Sequence, residues 1–519
     1  MSRAAGSRTV RSVLEHRAAS TPDGIFLIYD DLAGGVLRLS YGDFDAQVNR
    51  TAHLLRGLGI EAGDAINLHM ANRPEFLFLW FAAAKIGAIV MPTNPLSVAG
   101  ELEYLIGHSN SRVIFTTPDL LAVAAQAGRG CANVRAIVVC GASGSGEEAG
   151  DGALLFDHLL DGQPVDPPPG DPEALGEVAI LYTSGTTARP KGVLVTNANY
   201  IYAGETVANA IRLSSGDRHL VVMPLFHGNA QYYSTMSALV AGASLVLLPR
   251  FSASAFFDRA IAHGCTVSSL FAAPIRMLLA QPPRPELRRN RLRVVMFAQS
   301  VREAQLTEWH DRFGAPLLQL YGMTETMGPP LMNPIDDIRS MSIGRPVVQY
   351  EVALVDGDGQ PVPPGDVGQI LVRGEAGGTV MKGYHLDSDA TAAAIRGGWL
   401  WTGDTARQDR DGYFHFVDRR ADMIKRAGEN IAASEVEGVI RDHPDVFDCA
   451  VVGVPDPVRD EAIKAFVVLT PGSTADVAAI VDWCRRRLSP FKVPQMVELL
   501  PALPRTAVGK IQKHVLRAM

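Results

Sequence analysis

Short apolar and β-branched runs alternate with helix-like stretches through the first half of the chain. Arg112–Thr116 and Ala136–Val139 are such runs, and Val178–Tyr182 is another that leads into a loop of glycine and hydroxyl residues. Leu220–Met223 and Ser244–Leu248 have the continuous apolar character of buried strands. This alternation predicts βαβ units and mostly parallel sheets.

The most apolar stretch is Phe76–Ala84, which is closed by Lys85. It is far shorter than the roughly 20 residues that a helix needs to cross a bilayer. We therefore expect a helix buried in the core and no integral membrane segment. Pro164–Pro172 (PVDPPPGDP) cannot form a helix and predicts an extended connector.

The pattern changes after Gly344. Val352–Val355, Gln369–Arg373 and Tyr413–Val417 are short apolar or alternating runs, separated by Gly, Asp and Pro. Such runs are typical of a small, mostly antiparallel β unit, which we interpret as barrel-like.

Beyond Asp418 the pattern returns to mixed helix and strand. Ser434–Arg441 predicts a helix, with Ser434 as N-cap and Glu437 completing a capping box. Cys449–Val454 predicts a strand.

We therefore predict an α/β protein with a large N-terminal domain and a small C-terminal one. The N-terminal domain, residues 1–418, combines mostly parallel α/β sheets with the β-barrel-like unit. The α+β C-terminal domain, residues 422–519, has about 100 residues, a reasonable size for a small domain.

The composition is that of an ordinary globular protein, with 47% hydrophobic and 20% charged residues. The formal net charge is −7 without long runs of one sign, which argues against a nucleic acid or an anionic membrane as partner. The five cysteines form no CxxC pair, and the N-terminus lacks an apolar signal core. We therefore predict a cytoplasmic protein with reduced thiols.

Tyr182–Val193 (YTSGTTARPKGV) places hydroxyl side chains, a glycine and Lys191 in one loop directly after a strand. Hydroxyls and backbone amides on a tight loop bind phosphate oxygens, and a lysine adds a positive charge. The loop is not a Walker A motif, because Pro190 precedes the lysine where that motif has glycine. Taken alone, such a segment is as often an ordinary turn as a phosphate site.

Further motifs follow along the chain: Tyr321–Glu325 (YGMTE), Thr402–Asp404 (TGD), Asp418–Ile431 (DRRADMIKRAGENI) and Pro504–Lys510 (PRTAVGK). Together with the loop they resemble, in order and separation, the motifs of the adenylate-forming superfamily. That superfamily contains acyl-CoA synthetases, adenylation domains of peptide synthetases, and luciferases. The resemblance covers nearly the whole chain, and it implies an ATP-dependent ligase that joins a carboxylate to AMP and passes the acyl group to coenzyme A.

The resemblance also implies an ATP site. Its residues are Thr183, Ser184, Gly185, Thr186, Thr187, Lys191, Ala298, Gln299, Ser300, Tyr321, Gly322, Met323, Thr324, Asp404, Arg419 and Lys510. Thr324 is expected at the α-phosphate, Tyr321 on the adenine, and Glu325 on Mg²⁺. Asp404 is expected to accept hydrogen bonds from the ribose hydroxyls, and Arg419 to donate to the ribose or a phosphate.

Catalytic roles are implied for Lys191, His227, Thr324, Glu325 and Lys510. The family's equivalent of Lys510 acts on the reacting phosphate during adenylation, and a cation placed in this way lowers a barrier by ~3–4 kcal/mol.

The family's C-terminal domain rotates between the two half-reactions. The mobile domain would turn here on a hinge near residues 418–422, with Ala421 at the pivot. Coenzyme A would then be bound by Lys425, Gly428, Glu429 and Asn430.

Two positions depart from the family pattern. Ala188 stands where the phosphate loop usually has glycine, at a cost of ~1 kcal/mol if the position needs a positive φ. Ala298-Gln299-Ser300 stands where relatives often have a loop rich in glycine and alanine. Neither change removes a charged catalytic group.

The acyl pocket is expected at His227, Gly228, Tyr232, Ala298 and Gly322. Phe226–Gln231 offers no aspartate for an α-ammonium group, which disfavours amino acids as substrates. SIGRP and RDEAIKAFVVL are among the segments that look most like the carnitine/crotonobetaine–CoA ligase branch, and a short- or medium-chain acid is the alternative. Tyr232 and Tyr233 could face a quaternary ammonium group, although we favour core positions for both rings.

The expected partners are a small carboxylic acid, coenzyme A, and ATP with Mg²⁺. The main alternative is an acyl-adenylate-forming enzyme that loads a carrier protein, which would then be a partner. A non-catalytic nucleotide-binding relative is a remote alternative, against which the joint presence of Lys191, Glu325, Asp404 and Lys510 speaks. A homodimer is compatible with each of these interpretations.

Overall fold

The computed structural model describes most of the chain: residues 7–142, 150, 152–183, 190–299, 301–419, 422–426, 429–456, 460–488, 490–506 and 511–519. For residues 419, 423, 425, 429, 430, 460 and 491 it describes the backbone only. The chain divides into two units. Unit 1 comprises Met1–Glu351 and Val372–Leu400, and unit 2 comprises Val352–Leu371 and Trp401–Met519.

The strands are short and spread over the whole chain. They are β1 (Ile25–Asp30), β2 (Val36–Ser40), β3 (Ala65–His69), β4 (Ile89–Pro92), β5 (Ser111–Thr116), β6 (Ala136–Val139), β7 (Leu154–Leu155), β8 (Glu177–Thr183), β9 (Lys191–Thr196), β10 (Arg218–Val221), β11 (Ser244–Leu247), β12 (Val267–Phe271), β13 (Val294–Ala298), β14 (Leu317–Tyr321), β15 (Leu331–Met332), β16 (Arg345–Pro346), β17 (Glu351–Val355), β18 (Val367–Arg373), β19 (Gly383–Tyr384), β20 (Ile395–Arg396), β21 (Trp399–Gln408), β22 (Phe414–Arg419), β23 (Met423–Arg426), β24 (Glu429–Ala432), β25 (Val446–Asp456), β26 (Asp460–Leu469) and β27 (Met496–Leu499).

Helices lie between the strands, as the alternating pattern predicts. They are α1 (Val10–Ser20), α2 (Tyr41–Gly57), α3 (Pro74–Ile86), α4 (Ala99–Ser109), α5 (Leu121–Arg129), α6 (Phe156–Leu160), α7 (Asn197–Ala210), α8 (Ser237–Ala241), α9 (Phe256–Ala262), α10 (Ala272–Leu279), α11 (Glu303–Phe313), α12 (Ser388–Ala394), α13 (Ala433–Arg441), α14 (Val477–Arg485) and α15 (Lys513–Arg517). A π-helix spans Asn229–Met236, and 3₁₀ turns span Pro285–Arg289, Thr324–Thr326 and Pro490–Lys492.

Two mostly parallel sheets frame unit 1. The first runs in the order β16-β15-β14-β13-β12-β10-β11-β1-β2, and the second in the order β19-β9-β8-β4-β3-β5-β6-β7. Non-consecutive neighbours such as β10 and β12 are parallel, which requires crossover connections through helices. The first sheet ends in the antiparallel strands β15 and β16, and the second in the antiparallel strands β9 and β19.

Helix α3 lies in the core of unit 1. All of its residues except Glu75 are buried, including the whole side chain of Trp80. A helix that is apolar on all sides must be surrounded by protein, and α3 packs against α1, α2 and β4. This agrees with the core helix predicted for Phe76–Ala84. Across the described residues, no helix combines the length and apolarity that a membrane span requires.

Unit 2 holds most of a third sheet, β17-β18-β21-β20 with β22 on β21, and all of a fourth, β24-β23-β26-β25 with β27 on β26. In the fourth sheet, alternate residues of β25 enter two cores. Cys449 and Val451 face the core that contains α13 and α14, whereas Ala450 and Val452 share a core with Leu516 of α15. Both faces of β25 are therefore covered, which explains its continuous apolar run.

The predicted fold class is confirmed: an α/β chain with parallel sheets, a larger N-terminal part and a smaller C-terminal domain. The capping-box prediction is wrong. Helix α13 has Ala432 as N-cap with no side-chain cap, and the amide of Ser434 instead donates to Asp418 Oδ2 at 2.9 Å. Glu437 is drawn inward to Lys513 Nζ, 2.9 Å away, so its side chain does not turn back to the helix end.

Candidate active site

The ends of the predicted phosphate loop are fixed by an antiparallel strand pair. Thr183 closes β8, Lys191 opens β9, and these two residues pair across the hairpin. The Thr183 hydroxyl donates to the Lys191 carbonyl at 3.5 Å. The predicted loop residues Ser184, Gly185, Thr186, Thr187 and Ala188 lie outside the described residues. The pairing places the two ends of the loop side by side and gives Lys191 a backbone fixed by the sheet.

Glu325 is fixed at both its backbone and its side chain. Strand β14 ends at Tyr321, and the 3₁₀ turn Thr324–Thr326 carries Glu325, which is only 6% exposed. Its carbonyl accepts a hydrogen bond from the Met381 amide at 2.9 Å. Its Oε1 accepts one from the Tyr384 hydroxyl, also at 2.9 Å. One segment of the chain thus holds the carboxylate in place.

Tyr384 also lies beside Lys191. The Lys191 Nζ is 4.9 Å from the centroid of the Tyr384 ring, a distance at which a cation is attracted to the face of an aromatic ring. Burial, together with the nearby charge of Glu325, raises the pKa of Tyr384 above its usual value, so the phenol stays protonated and donates. We call Lys191, Tyr384 and Glu325 the cation–phenol–carboxylate row.

Sequence analysis does not single out Tyr384. It lies in the very short strand β19, which pairs antiparallel with β9 so that Tyr384 is opposite Val193. The surrounding segment MKGYH has no strand-like run, and an isolated tyrosine is more often a core residue. Only the pairing with β9 brings this phenol to the motif residues.

The chain turns sharply just after Glu325. Met327 has φ 64° and ψ −66°, and the Gly328 amide donates to the Thr326 carbonyl at 2.8 Å, which is the geometry of a strained three-residue turn. The buried Tyr350 hydroxyl donates to the Thr326 carbonyl at 2.7 Å and accepts from the Gly328 amide at 2.9 Å. Strain of ~1–3 kcal/mol persists only where the surroundings enforce it, and Tyr350 supplies part of that constraint.

The π-helix Asn229–Met236 follows directly on His227 and Gly228. π-helices are rare and are concentrated at functional sites. This one carries Tyr232 and Tyr233, and both rings are buried. Gly228 has no room for a side chain, because a Cβ atom there would lie 2.8 Å from the Tyr232 ring.

Gly322 directly follows β14 and lies against the same π-helix. A Cβ atom on Gly322 would lie 2.5 Å from the Tyr233 hydroxyl. Ala298 ends the neighbouring parallel strand β13, in which Phe297 pairs with Gln319 of β14. The predicted pocket residues Ala298 and Gly322 thus share the carboxyl edge of the sheet, where α/β proteins form ligand crevices.

His227 is half-buried, and its ring lies 4.6 Å from the Phe226 ring. Its amide donates to the Pro224 carbonyl at 3.1 Å, which fixes the backbone before the π-helix. The role of His227 at the acid stays a prediction.

Gln299 has a left-handed backbone with φ 75°. For a residue with a Cβ atom this conformation costs ~1–2 kcal/mol. The Gln319 side chain donates to the Gln299 carbonyl at 3.1 Å and holds the turn. The loop therefore keeps a conformation that favours glycine without having one. Ser300 lies outside the described residues.

In unit 2, Asp404 and Arg419 are backbone partners across β21 and β22. Asp404 is buried, and its amide donates to Thr402 Oγ1 at 3.1 Å. Thr402 in turn donates to the Ile370 carbonyl at 2.8 Å. The TGD segment is thus a fixed strand rather than a loose turn, and its aspartate lies opposite Arg419 of the predicted hinge.

The residues predicted to bind coenzyme A fall on one hairpin of unit 2. Strands β23 and β24 pair Lys425 with Asn430, and Arg426 with Glu429. Gly428 lies outside the described residues, as does the predicted pivot Ala421. Lys510 lies outside them too, although the segments on either side of residues 507–510 are described.

The donor set around Glu325 fits a magnesium ion that is bound mainly through a nucleotide. Among the described residues, no group of three or more His, Cys, Asp or Glu side chains is placed to hold a metal ion. Mg²⁺ typically keeps several waters and uses one or two carboxylates together with substrate phosphates. A single buried carboxylate that accepts from a neutral phenol matches that requirement.

The sequence matches a known protein family in both its N-terminal and its C-terminal part. Residues 14–385 match the AMP-binding enzyme family, and residues 435–510 match the AMP-binding enzyme C-terminal domain. The chain is 39% identical over 517 residues to a crotonobetaine/carnitine–CoA ligase of Salmonella agona (strain SL483), with 99% of each protein covered.

Solved structures of similar fold cover nearly the whole chain. An anthranilate CoA ligase in complex with anthranoyl-AMP has a TM-score of 0.89 at 27% identity, covering 99% of this chain and 97% of that one. ATP-bound MatB from Rhodopseudomonas palustris has a TM-score of 0.87 at 27% identity, covering 98% and 99%.

Proposed function

This chain belongs to the AMP-binding enzyme family, and from its similarity to crotonobetaine/carnitine–CoA ligases we propose that it activates a carnitine- or crotonobetaine-like acid. The reaction class is that of an AMP-forming acid–CoA ligase. A carboxylate oxygen attacks the α-phosphorus of ATP, the bond to the bridging oxygen breaks, and pyrophosphate leaves. The thiol of coenzyme A then attacks the acyl carbon and AMP leaves.

The observation that carries the assignment of a site is the cation–phenol–carboxylate row. Lys191 follows the phosphate loop directly, so it supplies positive charge to the phosphates, while Thr183 and the predicted loop residues supply hydrogen-bond donors. Thr324 contacts the α-phosphate next to Glu325, which would hold Mg²⁺. When bound, the ion neutralises charge that builds up on the phosphates. Tyr384 keeps the Glu325 carboxylate oriented by a neutral hydrogen bond.

The remaining predicted residues complete the two half-reactions in this proposal. Lys510 neutralises charge on the reacting phosphate during adenylation, and Asp404 accepts from the ribose. The hairpin from Lys425 to Asn430 binds coenzyme A after the C-terminal domain, residues 422–519, has turned on the hinge at residues 418–422. A cytoplasmic location and a homodimer stay predictions.

Sequence similarity is the support for the acid. The relatives at 39% identity over 99% of the chain carry the name crotonobetaine/carnitine–CoA ligase. The acids in those names carry a quaternary ammonium group, which aromatic faces recognise. The lack of an aspartate in Phe226–Gln231 separates this pocket from those that hold an amino acid's ammonium group.

The test is a panel of acids assayed for AMP and thioester formation with ATP, Mg²⁺ and coenzyme A. The panel contains crotonobetaine, carnitine, straight-chain acids and aryl acids. It also contains the uncharged isostere of crotonobetaine, in which a tert-butyl group replaces the trimethylammonium group. This isostere has the same shape, so it separates recognition of charge from recognition of size.

We expect the highest kcat/KM with crotonobetaine or carnitine, and a loss of ~10-fold or more with the isostere, since a desolvated cation–π contact contributes about 2 kcal/mol. Equal or better use of the isostere, or of a straight-chain acid, would refute the proposal that the substrate is a carnitine- or crotonobetaine-like acid. The reaction class would be unaffected. Accumulation of acyl-AMP without thioester would instead support carrier-protein loading.

A further inference from the structure

Residues 504–506 and 511–513 lie on either side of residues 507–510, which include Lys510, and we call these two flanking segments of unit 2 the stem. Arg505 and Ile511 form an antiparallel bridge, and the Gln512 amide donates to the Pro504 carbonyl at 2.9 Å. Lys510 is the residue immediately before Ile511. The position of the stem therefore limits where this lysine can reach.

Two buried carboxylates hold the two sides of the stem. Arg505 donates to Asp448 Oδ2 on one side. Lys513 Nζ lies 2.9 Å from Glu437 Oε1 on the other. Asp448 is 5% exposed and Glu437 is 6% exposed, so both carboxylates lie beneath the surface.

Arg441 joins these two ion pairs. Its Nη2 donates to Glu437 Oε2 at 2.9 Å, and its Nε lies 3.7 Å from Asp448 Oδ1. The result is a continuous row, Arg505–Asp448–Arg441–Glu437–Lys513, which we call the stem ion-pair row. It connects Arg505, which precedes Lys510 in the chain, with Lys513, which follows it, through Arg441 in the last turn of α13.

The charges in this row support one another. Burial alone would raise the pKa of Glu437, but the Lys513 and Arg441 charges bring it below the usual value. Burial alone would lower the pKa of Lys513, but Glu437, with Asp422 and Asp418, brings it above the usual value. Glu437 also accepts from the Val451 amide at 2.9 Å, which ties the row to β25.

A row of buried charges is not needed to stabilise a small domain, because apolar residues of similar size often stabilise it as well. What the charges add is a fixed direction, since each ion pair is satisfied in only one arrangement of the stem. Lys513 also lies 3.9 Å from Asp422, the last residue of the predicted hinge, and Arg517 donates to the same carboxylate. The stem is thus also tied to the start of the C-terminal domain.

We propose that the stem ion-pair row positions Lys510 for the adenylation half-reaction, with Lys513 and Arg505 as positioning residues that do not touch the substrate. This inference rests on the proposed role of Lys510. Because Lys510 acts only in the first half-reaction, a loosened stem slows adenylation and leaves thioester formation unchanged.

The test variant is Lys513→Met, with Lys513→Arg as rescue and Lys464→Met as control. Lys464 pairs with Glu498 at 3.0 Å in the same unit, away from the stem, so the control loses an equivalent charge. Adenylation is measured as acid-dependent exchange of pyrophosphate into ATP. Thioester formation is measured separately, from synthetic crotonobetainyl-AMP and coenzyme A.

Lys513→Met is expected to slow exchange by ~10–100-fold, the scale of a misplacement of about 1 Å, while thioester formation changes less than twofold. Lys513→Arg restores most of the exchange, and Lys464→Met resembles the wild type. Equal losses in both half-reactions would overturn the proposal and leave the row a purely structural feature.

Amide hydrogen exchange of residues 505–513 gives a second readout, which does not depend on the identity of the carboxylic acid substrate. Lys513→Met should speed exchange in this segment, and Lys464→Met should not. Unchanged exchange in the segment contradicts the proposal whatever the substrate is. If wild-type enzyme ignores crotonobetaine and carnitine but uses another acid of the panel, the acid assignment fails, and the half-reactions are compared with that acid and its adenylate.

Discussion

Two buried carboxylates, Glu325 in unit 1 and Glu437 in unit 2, are equally hidden from solvent but have different neighbours. The Tyr384 phenol, a neutral donor, binds Glu325. Two cations, Lys513 and Arg441, bind Glu437. The described donor to Glu325 is thus neutral, whereas the charge of Glu437 is compensated within the fold by two cations. From this difference we infer that Glu325 is placed to bind a ligand and that Glu437 is placed to hold the fold together.

The largest effect is expected from a variant that tests whether the Glu437 carboxylate stabilises unit 2. Glu437→Gln removes the buried carboxylate that Lys513 and Arg441 share, so the free energy of unfolding of unit 2 should fall by ~3–5 kcal/mol. Glu435→Gln is the matched control on the same helix, because the Glu435–Lys492 pair is much more exposed and should contribute no more than ~1 kcal/mol. Urea unfolding of both variants measures this, and equal effects would remove the distinction between the two pairs.

The next largest effect is expected from a variant that tests whether Glu325 binds Mg²⁺. Glu325→Gln keeps a hydrogen-bond acceptor for Tyr384 but removes the charge. We expect adenylation to fall by ~10²–10³-fold, with a higher Mg²⁺ requirement, because charge stabilisation of a reacting phosphate is lost. Pyrophosphate exchange at varied Mg²⁺ measures it. A large loss of stability with little change in Mg²⁺ dependence would place Glu325 in the same class as Glu437.

A smaller effect is expected from Tyr384→Phe. The ring stays beside Lys191 and only the hydrogen bond to Glu325 is lost, which contributes ~0.5–1.5 kcal/mol, so adenylation should slow by roughly 2–10-fold. Tyr384→Leu should do more damage, because it also removes the aromatic face. Indistinguishable rates for the two variants would show that the ring has no role of its own.

The smallest effect concerns acid stability. His219 in β10 is fully buried, and among the described residues neither ring nitrogen has a hydrogen-bond partner. Burial lowers its pKa to about 3, with Asp217 and Arg293 contributing in opposite directions. The unfolded histidine titrates at about 6.5, so its contribution is complete above that pH and is lost as the pH falls from there toward 3.

Unit 1 should therefore lose about 1 kcal/mol between pH 7 and pH 5.5 from this residue, while the lowered pKa of Glu437 lets unit 2 keep its contribution over that interval. Amide hydrogen exchange in β10 and β25 at both pH values measures the difference. His219→Leu should remove this residue's share of the pH dependence in β10. Retention of the full dependence in that variant would assign it to another group.

Much of the fold can be predicted from local pattern, because the strands of parallel sheets are continuous apolar runs. Ala136–Val139 is found with the predicted bounds, and Ser244–Leu248 differs from β11 by one residue. The predicted core helix at Phe76–Ala84 lies inside α3. These elements depend on burial, which hydrophobicity records directly.

The parts that sequence analysis missed depend on contacts between distant residues. Tyr384 reaches Glu325 only because β19 pairs with β9, and Tyr350 reaches the turn at Met327 from far along the chain. The pattern at Ser434 satisfies a local capping rule, yet Asp418 and Lys513 offer stronger partners to Ser434 and Glu437. Tertiary hydrogen bonds and ion pairs override a local preference worth ~1 kcal/mol.

The central claim, that the acid passes through an acyl-adenylate before it reaches coenzyme A, is tested most directly with an acid whose carboxylate carries heavy oxygen. One turnover with ATP and coenzyme A is followed by mass spectrometry of the released nucleotide. We expect one heavy oxygen in AMP, because the carboxylate oxygen that attacks the α-phosphorus stays with the phosphate when the thiol displaces AMP. Unlabelled AMP, or heavy oxygen in inorganic phosphate or pyrophosphate, would contradict it.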